Sequence, residues 1–274
     1  MGAVAVTLPT DVIDDYRRDG AVVVRGVFSP ADLAAAEQGI EAVLADLGPV
    51  AKRASAAEDG AFVEDFCRWA DVPAIEAFAR TSPAAEVAGA LTGSSTVRLF
   101  HDHVLVKEAG TRQRTPWHQD LPYYNIEGTQ QTSVWLPVDP VPADASLQVV
   151  AGSHRGPWYL PRTFLDGRAK WFPEGTLADL PDIEGDPERF PVLAWALDPG
   201  DAVFFDMLAL HGAPGFEGPG RRRVLSLRFV GDDVVHAPRP WDTSPPFPGL
   251  ADELAPGAPL DHPLFPVLWR AEPS

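Results

Sequence analysis

The chain is poor in cysteine and in positive charge, and both shortages exclude something. Cys67 is the only cysteine among 274 residues, so there is no intrachain disulfide framework and no thiolate metal cluster. Any metal must be held by imidazole and carboxylate, and Cys67 is expected to be a small core filler. Twenty-two Lys and Arg stand against 39 Asp and Glu, a formal charge of −17. That excludes the broad basic footprint of a general nucleic-acid binder, while leaving the sign of an internal pocket open. There is no apolar run of ~18 residues for a membrane span. Met1-Gly2-Ala3-Val4 lacks the basic and long apolar regions of a signal peptide, and Val6 stands where a myristoylation signal has a hydroxyl. The expectation is a soluble, cytoplasmic protein with a small-molecule substrate and neither nucleic acid nor membrane as partner. Oligomeric state has no signature in the sequence.

What is present is apolar content (45%) sufficient for a sizeable core and 29 prolines spread along the chain, roughly twice the usual share. Together they favour short strands and long loops over a helical bundle. Thr10 opens an amphipathic helix stopped by Gly20, and residues 21–28 read as a strand. Ser29-Pro30 is an N-cap with proline at the first helical position, followed by an apolar face to Leu47 and a stop at Gly48-Pro49. Residues 50–60 read as a loop, Phe62 to Trp69 and Ala74 to Arg80 as short helices, and Ser82-Pro83 caps another helix ending near Gly93. From Thr96 strands dominate: 97–107, 131–136, 146–150, 202–205 and 223–230. A long aromatic insertion at 156–195, carrying Trp158, Tyr159, Phe164, Trp171 and Phe172, is a candidate lid. The stretch 236–274 reads as a Pro-rich tail. The expected fold is mainly β with α-helical cover: a double-stranded β-helix, or jelly roll, over 94–235, with the helices of 1–93 packed on one sheet and no linker dividing the chain.

The stretch with chemical content is Trp117-His118-Gln119-Asp120. In an extended strand alternate side chains share a face, so His118 and Asp120 can aim at one point. That is two-thirds of a 2-His-1-carboxylate site, the arrangement of non-haem Fe(II) oxygenases. Alone the triplet is common. His211, just after the apolar strand Val203-Phe204-Phe205, is placed to be the third ligand. Eleven residues later Arg222 opens a strand, and a buried arginine needs a carboxylate partner. A dicarboxylate cosubstrate would be that partner, and guanidinium suits its bidentate geometry.

With these residues the chain resembles the phytanoyl-CoA dioxygenase-like family of Fe(II)/2-oxoglutarate oxygenases over roughly residues 10–235. The resemblance rests on Leu105-Val106-Lys107, Trp117-His118-Gln119-Asp120, Ser133-Val134-Trp135-Leu136, Leu147-Gln148-Val149-Val150-Ala151-Gly152-Ser153-His154, Gly200-Asp201-Ala202-Val203-Phe204-Phe205, His211 and Arg222-Arg223. It implies that His118, Asp120 and His211 bind iron and that Arg222 clamps the distal carboxylate of 2-oxoglutarate. It further implies that Lys107 assists that cosubstrate and Trp135 lines its pocket, while His154 is structural. The small hydroxyl residue common two positions after the second His is here Ala213, leaving Ser226, Thr132 or water to supply that hydrogen bond. The turn before Ser153 has Ala151 where proline is common. Halogenating relatives lack the carboxylate, so the intact Asp120 implies oxygenation.

On the substrate side, alternation puts His101, His103 and Leu105 on the face of Lys107. Gln119 and Tyr123 are rim candidates, Trp158 a lid candidate, and Arg228, on the face of Arg222, a candidate anchor for an anionic substrate or a partner of Asp232 or Asp233. The expected activity is Fe(II)- and 2-oxoglutarate-dependent oxidation of an unactivated C–H bond of a small metabolite by O2. Hydroxylation is the first expectation, with release of succinate and CO2. The alternatives are a cupin-like metal enzyme that does not use 2-oxoglutarate, and a non-catalytic jelly-roll binding module.

Overall fold

The computed structural model describes residues 6–161 and 175–272. The N-terminal third begins with α1 (Thr10–Asp19), β1 (Ala21–Val24) and α2 (Pro30–Ala45). Ser29 and Asp32 form a reciprocal capping box at the start of α2, satisfying two N-terminal amides that the helix itself cannot. Gly20 closes α1 with φ 77°. A Cβ there would also strike the His154 ring at 2.3 Å, so His154 is a packing partner of this turn, as expected. Next come β2 (Lys52–Arg53), β3 (Phe62–Phe66), α3 (Pro73–Thr81) and α4 (Ala84–Thr92).

β3 corrects the expectation of a helix from Phe62 to Trp69, and β2 interrupts the expected loop at 50–60. In β3, Phe62 and Glu64 are buried on one face while Val63 is half-buried. The segment pairs along its length with the long strand β4 (Thr96–Lys107), Phe62 opposite Lys107 and Phe66 opposite His103. Cross-strand pairing to a buried strand overrides the weak local helical pattern. At Cys67 the chain takes φ 59° and turns away.

The strands that follow are β5 (Thr115–His118), β6 (Ile126–Glu127), β7 (Gln131–Pro137), β8 (Gln148–Val150), β9 (Val192–Ala194), β10 (Ala202–Phe205), β11 (His211–Ala213), β12 (Arg222–Val230) and β13 (Val235–His236). The C-terminal stretch adds α5 (Leu250–Glu253) and β14 (Val267–Arg270). The expected tail is thus partly structured. β14 pairs with β4 and Phe265 is fully buried beside Phe100.

Two antiparallel sheets form the jelly roll. The large one runs β1-β10-β7-β12-β4-β3-β2, with β14 also on β4, and the small one β5-β11-β8-β9. Period-2 alternation in β12 decides which residues face which layer. Leu225, Leu227 and Phe229 pack with Ile40, Ile75 and Leu91 of the helices. Val224 instead joins Trp135 and Phe205 against Leu147 and Val149 of the small sheet. The helices therefore cover the outer face of the large sheet, as expected, and its inner face borders a cavity. Among the described residues no helix is long and apolar enough to cross a membrane.

Candidate metal centre

His118 ends β5 and His211 begins β11, and the two are direct cross-strand partners. Their rings lie 4.2 Å apart. Asp120 is reached differently from the alternation expected of a continuous strand. The strand stops at His118, and Asp120 has helical φ/ψ (−76°, −45°) at the start of a 3-10 turn. The turn is pinned by the Met207 carbonyl, which accepts from the amides of both Asp120 and Leu121. The result still converges. Asp120 Oδ1 lies 3.6 Å from His118 Nε2 and 3.7 Å from His211 Nε2, and one donor atom from each residue falls within 4.8 Å of the others.

Backbone carbonyls fix both imidazoles. His118 Nδ1 is 2.7 Å from the Pro116 carbonyl, and His211 Nδ1 is 2.9 Å from that of Ala209. A carbonyl only accepts, so each Nδ1 carries a proton and each Nε2 is the nitrogen turned inward. Burial, and then the neighbouring His118, push His211 down to about 3, so its imidazole is neutral and ready to donate. Asp120 is likewise divided by atom. Oδ2 accepts from Arg228 at 3.1 Å and from Ser133 at 3.3 Å, leaving Oδ1 turned towards the imidazoles. Burial alone would raise this carboxyl, but Arg228 and the two histidines outweigh it and hold the pKa well below the usual range. Two imidazoles and one carboxylate on a single point suit a divalent first-row metal with open positions.

The cavity in front of this group measures about 810 Å3 counting its open mouth. Arg222 and Trp135 line it on one side of the donor group. Arg222 is 4% exposed, and among the described residues no carboxylate pairs with it. It donates to the Ala145 carbonyl, and its Cζ lies 5.6 Å from the Trp135 ring. Burial alone depresses it, to about 10, so at neutral pH it is a cation without an anion.

The other sequence candidates divide. His103, Tyr123 and Arg228 line the cavity. Arg228 pairs with Asp120, with Tyr124 and with Ser226. It does not pair with Asp232 or Asp233, which bind Ser94 and Ser95, and Thr129 and Gln130. Lys107, Ser226, His101, Gln119 and Trp158 are absent from the lining among the described residues. Lys107 donates to the carbonyls of Gln113 and Pro214 and lies over Phe62; burial, then Arg222, push it down to about 6. Ser226 donates to the Val134 carbonyl, and Thr132 to that of Phe205. His101 sits edge-on to Tyr124 and Phe100. Gln119 points away from the donor group, bridging Pro157, Leu208 and Tyr159, and Trp158 lies under Arg239. Of the expected lid, Phe164, Trp171 and Phe172 lie outside the described residues.

Among the lining residues that the sequence did not point to are Thr115, Lys52, Glu64, Phe66 and Ser244. Thr115 stands opposite Ala213 in register, so a hydroxyl is restored from the partner strand, a compensation visible only in the pairing. Phe62-Val63-Glu64-Asp65-Phe66 does not alternate apolar and polar residues, so the sequence carried little signal for Glu64 and Phe66.

Among curated proteins, a probable phytanoyl-CoA dioxygenase from Caenorhabditis elegans is 25% identical over 179 residues. The match covers 63% of this chain and spans about half (54%) of that relative's length. Among solved structures, the non-heme alpha ketoglutarate dependent carbocyclase SnoK from nogalamycin biosynthesis is similar at TM-score 0.76, with 23% identity over 97% of this chain and 98% of that one. The epimerase SnoN in complex with Fe3+, alpha ketoglutarate and nogalamycin RO gives TM-score 0.72, with 24% identity over 94% of this chain and 98% of that one. The phytanoyl-CoA dioxygenase (PhyH) family model matches residues 16–224. By this match over most of its length, and with the two-histidine, one-carboxylate group lying inside the matched span, the chain belongs to the phytanoyl-CoA dioxygenase family.

Proposed function

We propose that this chain is an Fe(II)- and 2-oxoglutarate-dependent oxygenase that oxidises a C–H bond of a small molecule, acting as one catalytic unit. The observation that carries the reading is the convergence of His118, Asp120 and His211 to within 4.8 Å, beside a cavity also lined by the buried Arg222, with which no carboxylate among the described residues pairs. When bound, iron with 2-oxoglutarate supplies the oxidising power, using O2 and releasing succinate and CO2.

The chain's own residues supply the rest. His118 and His211 donate from Nε2, held by the Pro116 and Ala209 carbonyls. Asp120 donates from Oδ1 while Arg228 and Ser133 hold Oδ2. The guanidinium of Arg222, steadied by the Trp135 face, takes the distal carboxylate of 2-oxoglutarate, and Thr115 is the nearby hydroxyl where Ala213 has none. Lys107 stays behind Arg222 on the Gln113 and Pro214 carbonyls and, pushed down to about 6, does not touch the ligand. Withdrawal of these groups from water strengthens each of their electrostatic interactions. Hydroxylation is the outcome we assign to the intact Asp120. Similarity to a carbocyclase and an epimerase makes the fate of the oxidised carbon a matter of how substrate is oriented in the cavity.

The test is spectroscopic. Anaerobic Fe(II) plus 2-oxoglutarate is expected to give a weak visible charge-transfer band, with Asp120→Ala abolishing both the band and succinate release. Iron bound by the wild-type protein without such a band would sink the reading.

A further inference from the structure

Beyond the donor group the cavity continues along the inner face of the large sheet. Its lining passes from Trp135 on β7 across β12 and β4 to Glu64 and Phe66 on β3 and Lys52 on β2. With strands roughly 4.8 Å apart, those five strands extend the wall over roughly 19 Å, more than a metal ion and a five-carbon diacid occupy.

The far end has the marks of a built site. Glu64 is 2% exposed and His103 7% exposed. Both line the cavity. Lys52 Nζ lies 3.2 Å from Glu64 Oε2 as an ion pair, and His103 Nε2 lies 3.4 Å from Oε1, outside hydrogen-bond geometry. A carboxylate accepts at about four positions, so Glu64 keeps acceptor capacity for a ligand. Burial alone would raise Glu64, but His103 and Lys52 outweigh it and bring it down to about 2; it is therefore a carboxylate and offers only acceptors. Phe66 stacks on the His103 ring with centroids 3.9 Å apart, making a flat wall beside it.

The cations nearby are already assigned. Lys52 is paired with Glu64, Arg228 with Asp120, and Arg222 faces the cosubstrate position. An anionic ligand at this end would meet the Glu64 carboxylate, and a cationic one would meet Lys52 and Arg228. A neutral hydrogen-bond donor meets neither penalty.

We propose that Glu64 is the substrate-recognition residue of this cavity, accepting a hydrogen bond from a hydroxyl of an uncharged, ring-bearing molecule laid against Phe66 and His103. The assignment rests on the oxygenase reading for what stands at the other end of the cavity. It gives the substrate a defined orientation: hydroxyl at β3, the carbon to be oxidised towards Asp120.

The experiment uses three fluorescent probes that share one ring system: 2-naphthol, 2-naphthoate and 2-naphthylmethylammonium. Binding to the intact chain at neutral pH is read from probe fluorescence, independently of iron. The expected result is 2-naphthol binding at least ~10-fold more tightly than either charged probe, the scale of one hydrogen bond to a charged group. Glu64→Ala should erase most of that preference, and Glu64→Gln, which keeps the shape, should weaken 2-naphthol less. Failure of 2-naphthol to bind, equal or tighter binding of 2-naphthoate, or an unchanged affinity in both Glu64 variants would overturn the proposal. The iron–2-oxoglutarate band is recorded on the same samples. Its absence in the wild type counts against the oxygenase reading, whereas its retention in both variants shows that the fold and the metal end are intact.

Discussion

At the metal end of the cavity both imidazoles are held by backbone carbonyls two residues away in sequence. Pro116 holds His118, Ala209 holds His211, and His118 and His211 face each other in register. At the β3 end side chains, set by strand register, take that part. Glu64 meets His103 from a neighbouring strand and Lys52 from a two-residue edge strand, and Phe66 finds its ring partner in the same way. Hydrogen bonds from short backbone segments make the first end rigid before any ligand arrives. The second end presents side chains alone to the cavity, among them a carboxylate with acceptor positions to spare. The difference teaches where variation is tolerated: a binding wall is retuned by single side chains, whereas the metal end ties ligand, carbonyl and strand register together.

Mutations sharpen that contrast, in decreasing order of effect. Arg222→Ala should weaken 2-oxoglutarate by about 100-fold, the scale of truncating one partner of a buried charge pair. Titration of the iron–2-oxoglutarate band measures this, and iron binding without cosubstrate should be unchanged. Equal 2-oxoglutarate affinity in the variant would favour the cupin-like alternative. Arg228→Met removes the donor that holds Asp120 Oδ2. Partners of metal ligands typically account for 10–100-fold in metal affinity, so iron should bind about 10-fold or more weakly, as measured by competition with a chelator. An unchanged iron affinity would make Arg228 part of the binding wall and erase the distinction between the ends.

The smallest effect lies at the β3 end and is read as stability. Burial pushes His103 down to about 4 from the ordinary 6.5, so between these values the unfolded chain binds a proton that the folded chain does not. Stability is therefore full above pH 6.5 and is lost as the pH falls towards 4. The loss attributable to this residue is about 2 kcal/mol between pH 7 and pH 5. Denaturant titrations of metal-free protein should show His103→Gln lacking that part of the slope. Identical pH dependence in the two proteins would place His103 in contact with water.

Much of the fold was legible because the signals were local. The Ser29–Asp32 capping box, the Gly20 and Gly93 stops, and the alternation in β12 each depend on a few adjacent residues. β3 was not legible as a strand, since a five-residue apolar and acidic segment carries little periodicity and its pairing partner lies some forty residues away. For the same reason Glu64 and Phe66 drew no attention. Thr115 was missed because its relation to Ala213 is one of register, and Lys107 was given a ligand-facing role that the carbonyls of Gln113 and Pro214 pre-empt.

By itself, then, the sequence determined the kind of chemistry. One cysteine and seven histidines leave imidazole and carboxylate as metal donors, and the family resemblance pointed to His118, Asp120 and His211 as donors and to Arg222 as the clamp. Only the tertiary structure decided how they meet and what they face. The turn at Asp120, the division of its two oxygens between imidazoles and Arg228, and the extension of the cavity to Glu64 all depend on contacts between segments far apart in the chain. Such contacts are fixed by burial and strand pairing, which no local pattern encodes.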